Sequence, residues 1–147
     1  MMLNIEVNNQ TESPVADSFF VSITEKTLLE TKYDFLSDKE ISISVALVSE
    51  DEMQRLNKEH RQKDSVTDIL SFFEYENVDE IRAVSEKELF LGELILCYDD
   101  IKKYAQKQGI EMEKELATVT SHGVLHLLGF SHGPEMFTIQ KNVANSI

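Results

Sequence analysis

SHGVLHLLGFSH, residues 121–132, is the stretch on which the reading of the chain turns. Its leucines, valine and small residues suit a packed helix, yet it holds three of the chain's four histidines, His122, His126 and His132. Helix positions four apart share a face, so His122 and His126 project side by side. Leu116, Thr120, Gly123, Val124 and Leu127 fall on the opposite side and need a sheet to cover them. The helix predicted over 111–128 thus has a sheet behind it and a cleft before it.

Gly129 stands where this helix should stop, because glycine accepts the left-handed backbone that a reversing chain needs. The reversal can bring His132 back over the first two imidazoles. Three histidines with no fourth protein ligand suit one zinc ion with a coordination position left for water, a site catalytic in type. The spacing is also that of the H-E-x-x-H-x-x-G-x-x-H zinc proteases, except that Gly123 replaces their glutamate. Loss of that general base costs the peptidase route about 10²–10⁴-fold.

Working outward, MLNIEV (2–7) reads as a strand, and Val15, Phe19 and Ile23 follow at helical spacing after Ser13-Pro14. ISISVALV (41–48) alternates with strand period two, and Ser49 with Glu52 forms a capping box opening a helix to about His60. VTDILSFF (66–73) and LFLGELILCY (89–98) are rich in branched and aromatic residues and read as two more strands. Between them, 74–88 carries six acids against Arg82 and Lys87 and reads as an exposed, solvated excursion. Residues 99–108 form a polar helix stopped by Gly109, and Pro134 opens a last helix at its first position. Four strands interleaved with helices predict one α+β domain over 1–147, a small mixed four-stranded sheet surrounded by helices.

A chain of 147 residues suits a single core, and its net charge of -13 argues against whole-surface binding to nucleic acid or anionic membranes. A polyanion would need a local basic patch. Lone Cys97, in an apolar stretch, leaves no disulfide framework and reads as a buried thiol. The start has no basic leader, and no run is long enough to span a membrane, so the expected location is the cytoplasm, with no membrane partner.

HGVLHLLGFSH resembles the H-G-x-L-H-L-x-G-Y-D-H signature of the YbeY family of bacterial endoribonucleases, including the glycine after the first histidine. LNKEHRQKDSVTDILSF (56–72) resembles that family's segment leading to T-D-V-L-S-F, and LGELIL (91–96) its L-G-D-I motif, all in family order. The resemblance implies a zinc-dependent endoribonuclease directed at single-stranded RNA, acting on rRNA precursors, especially at the 3′ end of 16S rRNA, and in quality control of the small ribosomal subunit. It implies His122, His126 and His132 as ligands, His122 and Arg61 at the catalytic centre, and Arg61 as catalytic or RNA-contacting. Phe130 and Ser131 replace the signature's Tyr-Asp, His60 an aromatic residue, and Glu93 the common Asp.

The residues add modest support for RNA. Arg55, Lys58, Arg61 and Lys63, with His60, gather positive charge at the end of one helix, and Lys58 and Lys63 join Arg61 as candidate RNA contacts. Such cations also complement a helix dipole. Asp68 and Glu93 could each bond a ligand histidine's second nitrogen, bind water or cap backbone. DNA is not an expected partner. Two rival readings are a zinc-dependent hydrolase of peptides or small esters, and a non-catalytic RNA-binding module of ribosome assembly with structural zinc.

Overall fold

Ile41, Ile43, Val45 and Leu47 alternate with half-exposed neighbours along the second of four strands, and all four are buried. The strands are β1 (Met2–Asn9), β2 (Glu40–Leu47), β3 (Ile69–Phe73) and β4 (Glu88–Leu96), in the order β1-β2-β4-β3. In the computed structural model, which describes residues 1–147, β1 and β4 run parallel to β2, and β3 closes the edge antiparallel to β4. The sheet is therefore mixed, as its four interleaved strands predicted.

Six helices surround it: α1 (Asp17–Glu30), α2 (Glu50–Arg61), α3 (Val78–Arg82), α4 (Tyr98–Gln108), α5 (Met112–Leu127) and α6 (Pro134–Asn145). Helix α5 contributes Leu116, Val124 and Leu127 to the main core, with α1 and α6 packed beside it, and the Thr27 hydroxyl donates to Ser121 Oγ at 2.9 Å. A smaller cluster of Val48, Met53, Leu70, Ile95 and Cys97 lies with α2. Cys97 is fully buried, and burial pushes its thiol above the ordinary range, which suits the inert role its sequence suggests. No helix is long and apolar enough to cross a membrane.

The parallel register of β2 on β4 slips between Ser42 and Ile43, where Leu91 is the extra residue. The backbone that absorbs the slip is Gly92, at φ +142°, and a Cβ there would stand 2.2 Å from the Phe72 carbonyl oxygen. The glycine of LGELIL thus lets β3 and β4 meet beside the cleft.

Three readings change. Strand β3 starts at Ile69 rather than 66, because the Asp68 carboxylate accepts from the Ile69 N–H at 2.7 Å and ends the preceding loop. Ser49 Oγ accepts from the Glu52 N–H at 3.1 Å, but the Glu52 carboxylate turns to Arg55, so only half of the capping box forms. The excursion at 74–88 is not simply solvated. It folds into α3, capped by Asn77 Oδ1 on the Glu80 N–H, and inserts Ile81, fully buried, into the main core. One apolar side chain per turn is enough to anchor so short a helix, and the six acids around it masked that signal.

Candidate metal centre and cleft

The histidines owe their direction to what α5 buries. A Cβ built on Gly123 would stand 2.5 Å from Ile69 Cδ1 and 2.9 Å from Leu94 Cδ2, so the helix backbone lies directly on β3 and β4. With that face held down, His122 and His126 emerge half-buried into the cleft beside β3. Helix α5 then ends in a tight reversal: Gly129 at φ +89° donates to His126 O at 3.0 Å, and Phe130 to Leu125 O at 3.0 Å. The reversal returns exposed His132 to its partners.

The three Nε2 atoms converge. His126 Nε2 lies 3.0 Å and His132 Nε2 3.1 Å from His122 Nε2, and the trio is the chain's one group of three or more ligand-type side chains gathered within 4.8 Å. Burial first, then the neighbouring His122 and His132 rings, pushes His126 below the usual imidazole range, favouring the neutral form that a metal needs. Three imidazole nitrogens aimed at one point are the donor set that a borderline metal ion prefers, so the group could hold one.

Gln140, on α6, reaches the same ring from behind. Its Oε1 lies 3.0 Å from His122 Nδ1 and accepts a hydrogen bond from the N–H there, which leaves the His122 Nε2 lone pair facing the other imidazoles. The sequence does not single out this residue, since no local spacing says where α6 crosses α5.

The cleft has a volume of about 570 Å³, and its far wall is formed from the end of α2 and from β3. Arg61 and His60 line it, with Asp68, Phe72, Phe73 and Glu76. Arg61 forms no ion pair and is free to meet an anion, and the His60 ring meets Phe72 edge-on at 5.1 Å. Phe73 is 54% exposed, an apolar platform at the cleft.

The rest of the proposed basic patch is weaker than its sequence suggests. Arg55 is held by Glu52 and Glu59, and Lys58 lies 3.9 Å from Asp64, because acids on neighbouring turns of α2 and in the loop after it reach these cations. Lys63 is exposed and unpaired but lies outside the cleft lining. Among the candidates for holding a histidine, Asp68 lines the cleft but forms no bond to an imidazole; its Oδ1 accepts from the Ile69 N–H and, at 3.4 Å, from the Thr67 hydroxyl. Glu93 does not reach the site. Strand alternation turns Leu94 toward α5 and therefore Glu93 to the other face of the sheet, beside Glu52 and Leu56.

Comparison with known proteins agrees with the geometry. The family model described as Endoribonuclease YbeY matches residues 5–147. A relative from Caldicellulosiruptor saccharolyticus, named Endoribonuclease YbeY, is 36% identical over 134 residues, covering 88% of this chain and 85% of its own. A second of the same name, from Staphylococcus saprophyticus, is 35% identical with 99% and 96% covered. The solution structure of a Thermotoga maritima protein superposes with a TM-score of 0.63 at 29% identity, over 97% of this chain and 87% of that one.

Proposed function

Because the chain belongs to the YbeY family of endoribonucleases, we propose that it cleaves single-stranded RNA at the histidine cleft with one zinc ion held by His122, His126 and His132. Its expected substrates are rRNA precursors in the cytoplasm, in particular the 3′ end of 16S rRNA, and its expected partner is the small ribosomal subunit. The observation that carries the reading is the convergence of three imidazole Nε2 atoms opposite an unpaired Arg61.

Zinc in that position supplies Lewis acidity to a phosphoryl oxygen or to an attacking water. The chain's own residues do the rest. Arg61 offers a fork of N–H donors to the phosphate as its charge grows in the transition state. Gln140 holds the His122 ring in one tautomer, and with Nδ1 bonded and Nε2 aimed at the cluster, His122 acts as a ligand and not as a proton-transfer group. Exposed Phe73 gives an unpaired base a surface on which to stack, which favours single strands. Gly123 faces Ile69 and Leu94, so that position cannot supply a protease-type carboxylate, and peptide hydrolysis is disfavoured.

The test is metal analysis of the purified protein with cleavage of matched single- and double-stranded RNA by wild type, Arg61→Ala and His126→Ala. The reading expects about one zinc per chain, cleavage of the single strand, loss of zinc and cleavage in His126→Ala, and loss of cleavage alone in Arg61→Ala. Undiminished cleavage by both variants would refute it.

A further inference from the structure

A second cavity, of about 350 Å³, shares Asp68 and His122 with the histidine cleft. Asp100 from α4, Glu115 from α5 and Gln140 from α6 join Tyr104 and Thr118 in its wall, which holds three carboxylates and no Lys or Arg. Lys103, whose charge offsets part of the field at Asp100, is itself bonded to the two carboxylate oxygens of Glu50 at 2.9 and 3.0 Å.

The acids alone would mark only a polar surface, but Glu115 is different. The residue is 8% exposed, its carboxylate forms no hydrogen bond or ion pair within the protein, and its oxygens face this cavity rather than the core. The residue's body is enclosed while its unpaired oxygens open onto the cavity, which leaves them free to meet a ligand there. Burial first, and then the charge of Asp68, pushes the Glu115 carboxyl above its usual range, and burial, Asp68 and Glu50 do the same to Asp100. Both groups sit in a field that a positive ligand would relieve.

We propose that the cavity walled by Asp68, Asp100 and Glu115 is a second cation site, adjoining the histidine cluster through His122, that takes a hydrated divalent ion of the magnesium type. The choice of ion follows from spacing and room. Only the histidine trio is gathered tightly enough to hold a bare ion, so an ion among the three carboxylates would keep most of its waters. Magnesium keeps most of its waters and uses one or two carboxylates directly, with others bonded through water. Six waters of about 30 Å³ each fit within a cavity of about 350 Å³. Because Asp68 belongs to both walls, an ion here also places positive charge beside the cleft of a chain whose net charge is -13. These carboxylates alone carry the proposal, which stands whether or not the neighbouring cleft cleaves RNA.

The test uses the zinc-loaded full chain with Mn²⁺ as the probe, free Mn²⁺ being followed by electron paramagnetic resonance with Mg²⁺ as competitor. One Mn²⁺ should bind beyond the zinc and be displaced by millimolar Mg²⁺. Glu115→Gln and Asp100→Asn should each weaken it by about ten-fold or more, with zinc content unchanged and thermal melting showing both variants folded. Equal Mn²⁺ affinity in the wild type and both variants would overturn the proposal, as would no bound Mn²⁺ in the wild type or displacement by spermidine but not by Mg²⁺. Zinc content reports the histidine site and Mn²⁺ binding this one, so failure of either is seen separately.

Discussion

His122 Nδ1 and Gln140 Oε1, 3.0 Å apart, tie the metal-facing helix α5 to α6 across eighteen residues of chain. The bond does for His122 what burial does for His126: it presents an unprotonated nitrogen to the cluster. Gln140→Ala should therefore lower zinc affinity by about 10–100-fold in competition with a chelator. Melting in excess zinc should change little, since Gln140 is only half-buried. An unchanged zinc affinity would mean that the ring is oriented by packing alone.

Gly92 and Gly123 hold the sheet and the histidine helix together by different means, and their variants should differ accordingly. Gly92→Ala forces a Cβ onto the Phe72 carbonyl at a backbone angle that L-residues rarely adopt, so a loss of about 3 kcal/mol or more is expected in urea unfolding. Gly123→Ala meets only the ends of the Ile69 and Leu94 side chains, and the helix gains propensity, so a smaller loss of about 1–2 kcal/mol is expected. Gly123→Glu restores the protease lettering but should unfold the chain rather than create a peptidase, because the carboxylate would enter the sheet.

Glu115 predicts a pH dependence. Its folded pKa is raised, so the fold suffers no penalty while the group is protonated in both states and loses stability as pH rises through the folded pKa. Glu115→Gln should accordingly raise the melting temperature at pH 7 in the presence of a chelator. The gain should vanish below about pH 4, where the unfolded carboxyl is also protonated. A gain that persists at low pH would point to packing instead of charge.

Arg61 and Arg55 lie on the same helix but differ in pairing. Arg61 is free and lines the cleft, whereas Glu52 and Glu59 already hold Arg55. Arg61→Ala should lower the cleavage rate by about 10²–10³-fold with zinc retained, as for loss of one transition-state donor. Arg55→Ala should leave single-turnover cleavage within about two-fold, since exposed ion pairs contribute little. Equal losses in the two would indicate a diffuse electrostatic role.

How far the sequence could be read follows from the range of each signal. Histidine spacing on a helix, the glycine stop, and the period of 41–48 are local properties, and the trio and the central strand can be read from them directly. The motifs sharing a resemblance extended that reading to Arg61. Glu93 shows where lettering misleads: strand alternation alone, counted from Leu94, turns it away from the histidines. Gln140 and Glu115 act through crossings between helices distant in sequence, which no short window encodes. Ile81 was hidden for a different reason, as a single buried side chain in an acidic segment has no period to detect.

The central claim is that three imidazoles hold one catalytic zinc. Zinc content and single-stranded RNA cleavage, measured together on wild type and His126→Ala, test it most directly. The account predicts about one equivalent of zinc with cleavage in the wild type, and neither in a folded His126→Ala protein. A folded, zinc-free variant that cleaves at the wild-type rate would contradict it.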